Sequence, residues 1–173
     1  MTIKRRGTTS ALKRLAYAQL LIIGFSLTHA IQAAPASSLM SGFNPLIGGQ
    51  WVLGSTYQTY TWGPDQQSVF GESFVIHNGE KTLGAKGLWY FDPASKTIKG
   101  VFVATNMPFT VLHYRSHFEA GMLISQVRSL DNLGTENHYQ ETIRVTQPDA
   151  YLWELTEAEP AGGTMKAEFH RAP

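Results

Sequence analysis

The sequence predicts an all-β protein: an antiparallel up-and-down meander of about 8–10 strands that closes into a barrel. Two observations favour this class. From Gly48 onward, apolar and polar residues alternate with period two, and turn-forming residues recur roughly every ten positions. No segment of this region carries the pattern of an amphipathic helix. Closure is expected because a meander of this size would otherwise leave two unpaired edge strands.

Residues 1–33 are predicted to be a cleaved signal peptide. The apolar segment 15–27 follows a basic region, and Ala33 supplies the small residue expected before the cleavage site. An apolar helix of thirteen residues spans about 20 Å, less than the ~30 Å of a bilayer core, so a lasting anchor is not expected. We therefore expect an exported protein, periplasmic or extracellular, with no stable membrane insertion after cleavage.

The charge of the exported part differs from that of the whole chain. Residues 34–173 carry nine Lys and Arg against thirteen Asp and Glu, a net charge of −4, whereas the full chain is at +1. A mildly acidic domain without a basic cluster argues against nucleic acid as a partner. The chain has no Cys, so neither a disulfide nor a lipoprotein anchor is available, and an apolar core must hold the domain.

After a linker over 34–45, residues 46–173 are predicted to form the barrel domain. Short connections join the strands, so strands adjacent in sequence are expected to pair. Asn78-Gly79 is typical of a type I′ hairpin turn, and Ala120-Gly121 of a tight reversal. The alternation predicts nine strands, at 50–57, 67–77, 82–91, 97–105, 109–118, 122–130, 137–147, 150–157 and 164–171.

Both ends of this domain resemble lipocalins and their calycin relatives. Gly49-Gln50-Trp51 resembles the Gly-x-Trp motif at the start of those barrels, and Arg171 lies on the last strand, where they place an Arg over that Trp. The segments 62–63, 71–74 and 87–90 are also similar to bacterial lipocalin-like domains. The resemblance implies a barrel closed by Trp51 and Arg171 that encloses a small ligand.

No cofactor or metal is expected. The opening 45–51 is also similar to that of haem-binding nitrobindins, but their Tyr-Pro-Thr-Ile element is missing here. No Gly-rich phosphate loop and no nucleophile motif is present. His113 and His117 would lie on the outer face of one strand about 13 Å apart, too far to share a zinc ion.

The alternation also predicts which side chains line the interior. Glu72 alternates with Phe70 and Phe74, and Glu141 with Tyr139, so two carboxylates are expected inside, paired by an inward Arg128 or by Arg171. Such a network either holds the strands in register or orients a ligand. The candidate ligand-binding residues are Phe70, Glu72, Phe74, Trp89, Tyr114, Arg128, Tyr139, Glu141 and Trp153.

Three functions fit these patterns. The first is an exported protein that holds an apolar or amphipathic small molecule inside the barrel. The second is a metal-free enzyme of the isomerase, decarboxylase or cyclase type, with Glu72 or Glu141 acting together with Tyr114 as acid and base. The third is a structural or interaction domain whose interior is filled by its own side chains. A cavity of ~300 Å³ or more would separate a ligand-binding barrel from a filled one.

Overall fold

The structure is a computed structural model that describes residues 39–105, 107–158 and 162–173. In this part of the chain, ten antiparallel strands form one closed barrel; each pairs with its sequence neighbours, and β1 pairs with β10. The predicted all-β meander barrel is confirmed. The predicted signal peptide lies outside the described residues. The strands are β1 Trp51–Leu53, β2 Thr56–Trp62, β3 Ser68–His77, β4 Glu80–Asp92, β5 Thr97–Ala104, β6 Val111–Glu119, β7 Met122–Leu130, β8 Glu136–Gln147, β9 Ala150–Glu157 and β10 Thr164–Arg171.

Two short 3₁₀ helices, Ser41–Leu46 and Pro64–Gln66, accompany the barrel. No helix within the described ranges is long and apolar enough to cross a membrane. The predicted reversals at Asn78-Gly79 and Ala120-Gly121 are confirmed, because all four residues have positive φ angles between 48° and 80°. Two successive residues with positive φ are what a type I′ hairpin turn requires.

The first predicted strand, 50–57, is two strands in the structure. Gly54 has a φ of +59°, in the left-handed region that glycine adopts without strain, and the chain reverses there between β1 and β2. Residues 58–66 were expected to be a connection, whereas 58–62 continue β2. The Thr, Tyr and Trp residues of β2 suit a strand, but only one side chain, Tyr60, is buried, so the segment shows little apolar alternation.

The interior face of β3 is the opposite of the predicted one. Val69 and Gly71 are buried, while Phe70 is 39% exposed. Phe74 is only 2% exposed, but it does not belong to the internal cluster: its ring stacks on Tyr57 with centroids 5.4 Å apart, and Lys81 Nζ lies 4.0 Å from its centroid. The prediction assigned the face with the largest apolar side chains to the interior, but the interior has room only for a small residue at position 71. A Cβ added to Gly71 would lie 3.0 Å from the rings of Phe102 and Trp89.

The interior face of β7 is likewise the opposite of the predicted one. Ser125, Val127 and Ser129 point inward and are buried, and Arg128 is exposed. The Arg128 guanidinium donates to Glu136 on β8 at 2.9 Å, outside the barrel. Arg128 therefore does not pair an internal carboxylate. Alternation gave the wrong inner face for β7 because two of its buried positions carry serines, which are polar in sequence but small enough to pack. Ser125 Oγ lies 2.8 Å from Ser116 Oγ.

One end of the barrel is closed by the 3₁₀ helix before β1. Phe43 and Leu46 from this helix are buried, and the Phe43 ring packs edge-on against Phe118 at 5.0 Å. The Trp51 indole donates to the Leu46 carbonyl at 2.9 Å. The Arg171 guanidinium lies over the Trp51 ring, 4.2 Å from its centroid, and donates to the Pro45 and Gly48 carbonyls. These contacts tie the helix to both terminal strands.

Candidate functional site

The barrel encloses a cavity of about 440 Å³. This volume exceeds the ~300 Å³ expected of a ligand site, so the described side chains do not fill the interior. Three of the residues that line the cavity are themselves 40–56% exposed, namely Leu53, Met107 and Met165. They mark the end at which the cavity opens to solvent, opposite the end closed by Trp51 and Phe43.

Aromatic rings form much of the cavity wall. Trp89 lies at their centre, with its ring centroid 4.4 Å from that of Phe102, 5.7 Å from Tyr114 and 6.1 Å from Tyr60. Its position depends on Gly100 across the β4–β5 pair, where an added Cβ would lie 2.8 Å from the Trp89 ring. Trp89 Nε1 is buried without a described hydrogen-bond partner.

Among the described residues, Glu141 is the one whose charged group projects into the cavity. Its side chain is 6% exposed, and its Oε1 accepts a hydrogen bond of 2.7 Å from Trp153 Nε1. Oε2 is buried without a partner among the described residues. Burial raises the pKa of Glu141 to about 7, because the ionised form loses water, and the Trp153 hydrogen bond only partly opposes this effect. Near neutral pH the carboxyl group therefore exists in both forms.

The charge of Glu141 acts on three buried tyrosine hydroxyls, those of Tyr60, Tyr114 and Tyr151. Gln58 Oε1 accepts hydrogen bonds from Tyr60 at 2.6 Å and from Tyr151 at 2.5 Å, joining strands β2 and β9. Burial, the largest cause, raises the pKa of Tyr60, Tyr151 and Tyr114, and the Glu141 charge adds to each shift. All three hydroxyls remain neutral over the physiological range and can donate hydrogen bonds.

The structure brings together four of the nine predicted ligand-binding residues. Trp89, Tyr114, Glu141 and Trp153 line the cavity through their inward side chains. Tyr139 also faces inward, opposite Val127, and packs against the core away from the cavity. The remaining four do not send their side chains into the cavity: Phe70, Glu72, Phe74 and Arg128.

Glu72 belongs to the cavity wall, but its carboxylate lies on the outer face. It forms ion pairs with Lys86 at 2.7 Å and Lys81 at 3.4 Å, and these lysines, mainly Lys86, lower its pKa. Glu72 therefore cannot act with Glu141 on one bound molecule, and the predicted pair of internal carboxylates is wrong. Tyr114 and Glu141 do line one cavity.

Sequence reasoning missed Gln58 and Tyr151 as parts of the site. Gln58 lies in β2, which the prediction treated as a connection, so no face could be assigned to it. Tyr151 lies on β9, and no sequence signal links it to Gln58, which is 93 positions away in the chain. The Thr, Tyr and Trp content of β2 is the sequence signal that favours a strand there and would have included Gln58.

A second concave surface, a groove of about 750 Å³, lies on the outer face of β6–β9 and includes His113, Arg115, Arg128 and His138. Arg128 and His138 already pair with Glu136, each at 2.9 Å. In the described part of the chain, no three His, Cys, Asp or Glu side chains are grouped so as to hold a metal ion. The internal cavity is therefore the better-defined site.

Comparison with known proteins gives no match, either to a protein-family model or to a curated protein. The closed barrel has the architecture that the lipocalin resemblance implies, without establishing membership of that family. The cavity and the chemistry of its lining are what support a function.

Proposed function

We propose that this protein binds one small apolar or amphipathic molecule inside its barrel. The observation that carries the proposal is the cavity of about 440 Å³, open at one end and lined mainly by apolar and aromatic side chains. A site of this size and composition buries most of the surface of a small ligand, and burial of apolar surface supplies the affinity. The Trp51–Arg171 contact at the closed end supports the resemblance to lipocalins.

The test is titration with the apolar fluorescent probe N-phenyl-1-naphthylamine. Ala167 lines the cavity, so Ala167→Phe should fill part of it and weaken probe binding roughly tenfold or more. Glu168→Phe places the same ring on the exposed side of the same strand and should leave binding unchanged. Ala85→Phe, on the opposite wall, provides a second cavity-filling variant if Ala167→Phe unfolds.

Absence of probe binding by the wild-type protein would overturn the proposal. Equal binding by the wild-type protein and a folded cavity-filling variant would also overturn it, because the probe would then lie elsewhere. Native mass spectrometry of protein purified from its own host gives a direct measure, and a bound small molecule released by organic solvent is the expected result.

We also infer that the binding domain works outside the cytoplasm. This rests on the basic region, the apolar segment 15–27 and the small Ala33 in the sequence. Cleavage is expected before Ala34. Sequencing the amino terminus of the protein from its host, with separate analysis of the medium, the periplasmic fraction where there is one, and the cell lysate, tests this. An unprocessed protein retained in the lysate would refute export.

A further inference from the structure

The described lining of the cavity carries no positively charged side chain. The described residues of the lining include no Lys, Arg or His, and the one carboxylate that projects inward is that of Glu141. The basic side chains near this wall, Lys81 and Lys86, lie outside and pair with Glu72. A carboxylate ligand would therefore be buried beside a second negative charge without a cation to balance either.

Glu141 is positioned to accept one more hydrogen bond. Trp153 occupies Oε1, while the buried Oε2 has no described partner, and the side chain is more than nine-tenths buried at the cavity wall. A buried carboxyl oxygen is stabilised strongly by a donor that carries positive charge. The rings of Trp89, Phe102 and Tyr114, which pack together in the same cavity, offer faces that also attract a cation.

We propose that the ligand is an amphipathic amine whose protonated nitrogen donates to Glu141 Oε2 and whose apolar part lies among the aromatic rings. The proposal rests on the proposed function and names the ligand class. The buried charge is then paired, as a buried ion pair requires. An alcohol can donate to the carboxylate form of Oε2 or accept from its protonated form, but it brings no charge to balance an ionised Glu141. Trp89 Nε1, a neutral donor, cannot balance the charge of a bound carboxylate.

The experiment is displacement of N-phenyl-1-naphthylamine by three ligands that share one alkyl chain: decylamine, decanol and decanoate. At pH 7 the wild-type protein should bind decylamine roughly 30-fold more tightly than decanol, and decanoate most weakly. Glu141→Gln should remove this preference for the amine, so that the ratio of the decanol and decylamine dissociation constants falls from about 30 toward 1.

The matched control is Glu136→Gln. Glu136 lies on the same strand as Glu141, but its exposed carboxylate pairs with Arg128 outside the barrel. Glu136→Gln also removes negative charge from an acidic domain, and it should leave the amine preference intact. An equal loss in Glu136→Gln would overturn the proposal, because attraction to the net charge would then explain the preference.

A second measurement does not depend on any variant. An ammonium group favours ionised Glu141, so decylamine binding at pH 7 should release protons, whereas decanol should release much fewer. Calorimetric titration in buffers of different ionisation enthalpy measures this number. Equal proton release, or equal or stronger binding of decanoate, would overturn the amine proposal and leave the binding function standing. Failure of all three ligands and of the probe to bind would overturn the binding function itself.

Discussion

The two ends of the barrel expose apolar side chains to very different extents. At the closed end, Trp51 and Phe43 have no exposed surface, and the Trp51 indole is fixed by a hydrogen bond to the 3₁₀ helix. At the open end, Leu53 and Met165 line the cavity and remain 42% and 56% exposed. Large buried side chains are therefore concentrated at one end, while the other end opens the cavity to solvent, with Glu141 on the cavity wall.

The largest effect is expected at the closed end. Trp51→Ala removes a fully buried indole, its hydrogen bond to Leu46 and the surface on which Arg171 stacks. We expect the free energy of unfolding to fall by about 3–5 kcal/mol, measured by urea denaturation. A loss below about 1 kcal/mol would show that this end does not hold the barrel together.

The second prediction concerns the cavity wall, where the buried carboxyl group of Glu141 should make the free energy of unfolding depend on pH. Its folded pKa of about 7 lies above the usual 4.5, so its stabilising contribution is complete below pH 4.5 and is lost as the pH rises through 7. Relative to Glu141→Gln, the wild-type protein should lose about 3 kcal/mol of unfolding free energy between pH 4 and pH 8. The raised pKa values of Tyr60, Tyr114 and Tyr151 keep these neighbours neutral over that range.

Urea denaturation of both proteins across this pH range measures the difference. Glu136→Gln, on the outer face of the same strand, should show no comparable pH-dependent difference from the wild-type protein. Parallel stability curves for the wild-type protein and Glu141→Gln would contradict the burial argument.

A smaller effect is expected from the two cations that stack on aromatic rings. Arg171 lies over buried Trp51 and also donates to two carbonyls, whereas Lys81, with an exposed side chain, lies 4.0 Å from the centroid of Phe74 on the outer wall. Arg171→Ala should cost about 2 kcal/mol, and Lys81→Ala less than about 1 kcal/mol. Thermal and urea unfolding of both variants measure this; equal costs would contradict the proposed difference between closed end and outer wall.

The smallest stability effect is expected at the opening. Met165 is 56% exposed, so Met165→Ala should change the free energy of unfolding by less than about 0.5 kcal/mol. Its side chain lines the cavity, and its truncation should widen the route and speed probe dissociation by about threefold. Stopped-flow dilution of the probe complex measures the rate. An unchanged rate together with a large loss of stability would place Met165 in the structural core instead.

The sequence predicted the fold class because alternation and turn chemistry are local properties. Asn78-Gly79 and the alternating pattern of β8 require no knowledge of the rest of the chain, and both are confirmed. The reversal at Gly54-Ser55 was missed although Gly-Ser between two strands is a local hairpin signal, because β1 has only three residues and shows no alternation of its own. Because most of β2 was predicted to be a connection, Gln58 and Tyr60 could not be assigned to an inner face.

The site was predicted only in part, because the interior face of a strand depends on its neighbours. The inner face of β8 carries Tyr139, Glu141 and Ile143, and its apolar residues identify it. On β3 the inner face carries Gly71, whose small size is explained by Phe102 and Trp89 on other strands. Alternation alone therefore placed Glu72 inside, although Lys81 and Lys86 hold it outside.

The short first strand also has a consequence for how the barrel forms. Within the described chain, β1 pairs with β10 at two positions, Trp51 with Arg171 and Val52 with His170, whereas the other adjacent strands form hairpins. Hairpins need only local loop closure, whereas the β1–β10 pairing, the seam that closes the barrel, joins residues from opposite ends of the domain. We therefore expect the seam to form last during folding and, in native-state hydrogen exchange, its amides to open before those of β6–β9.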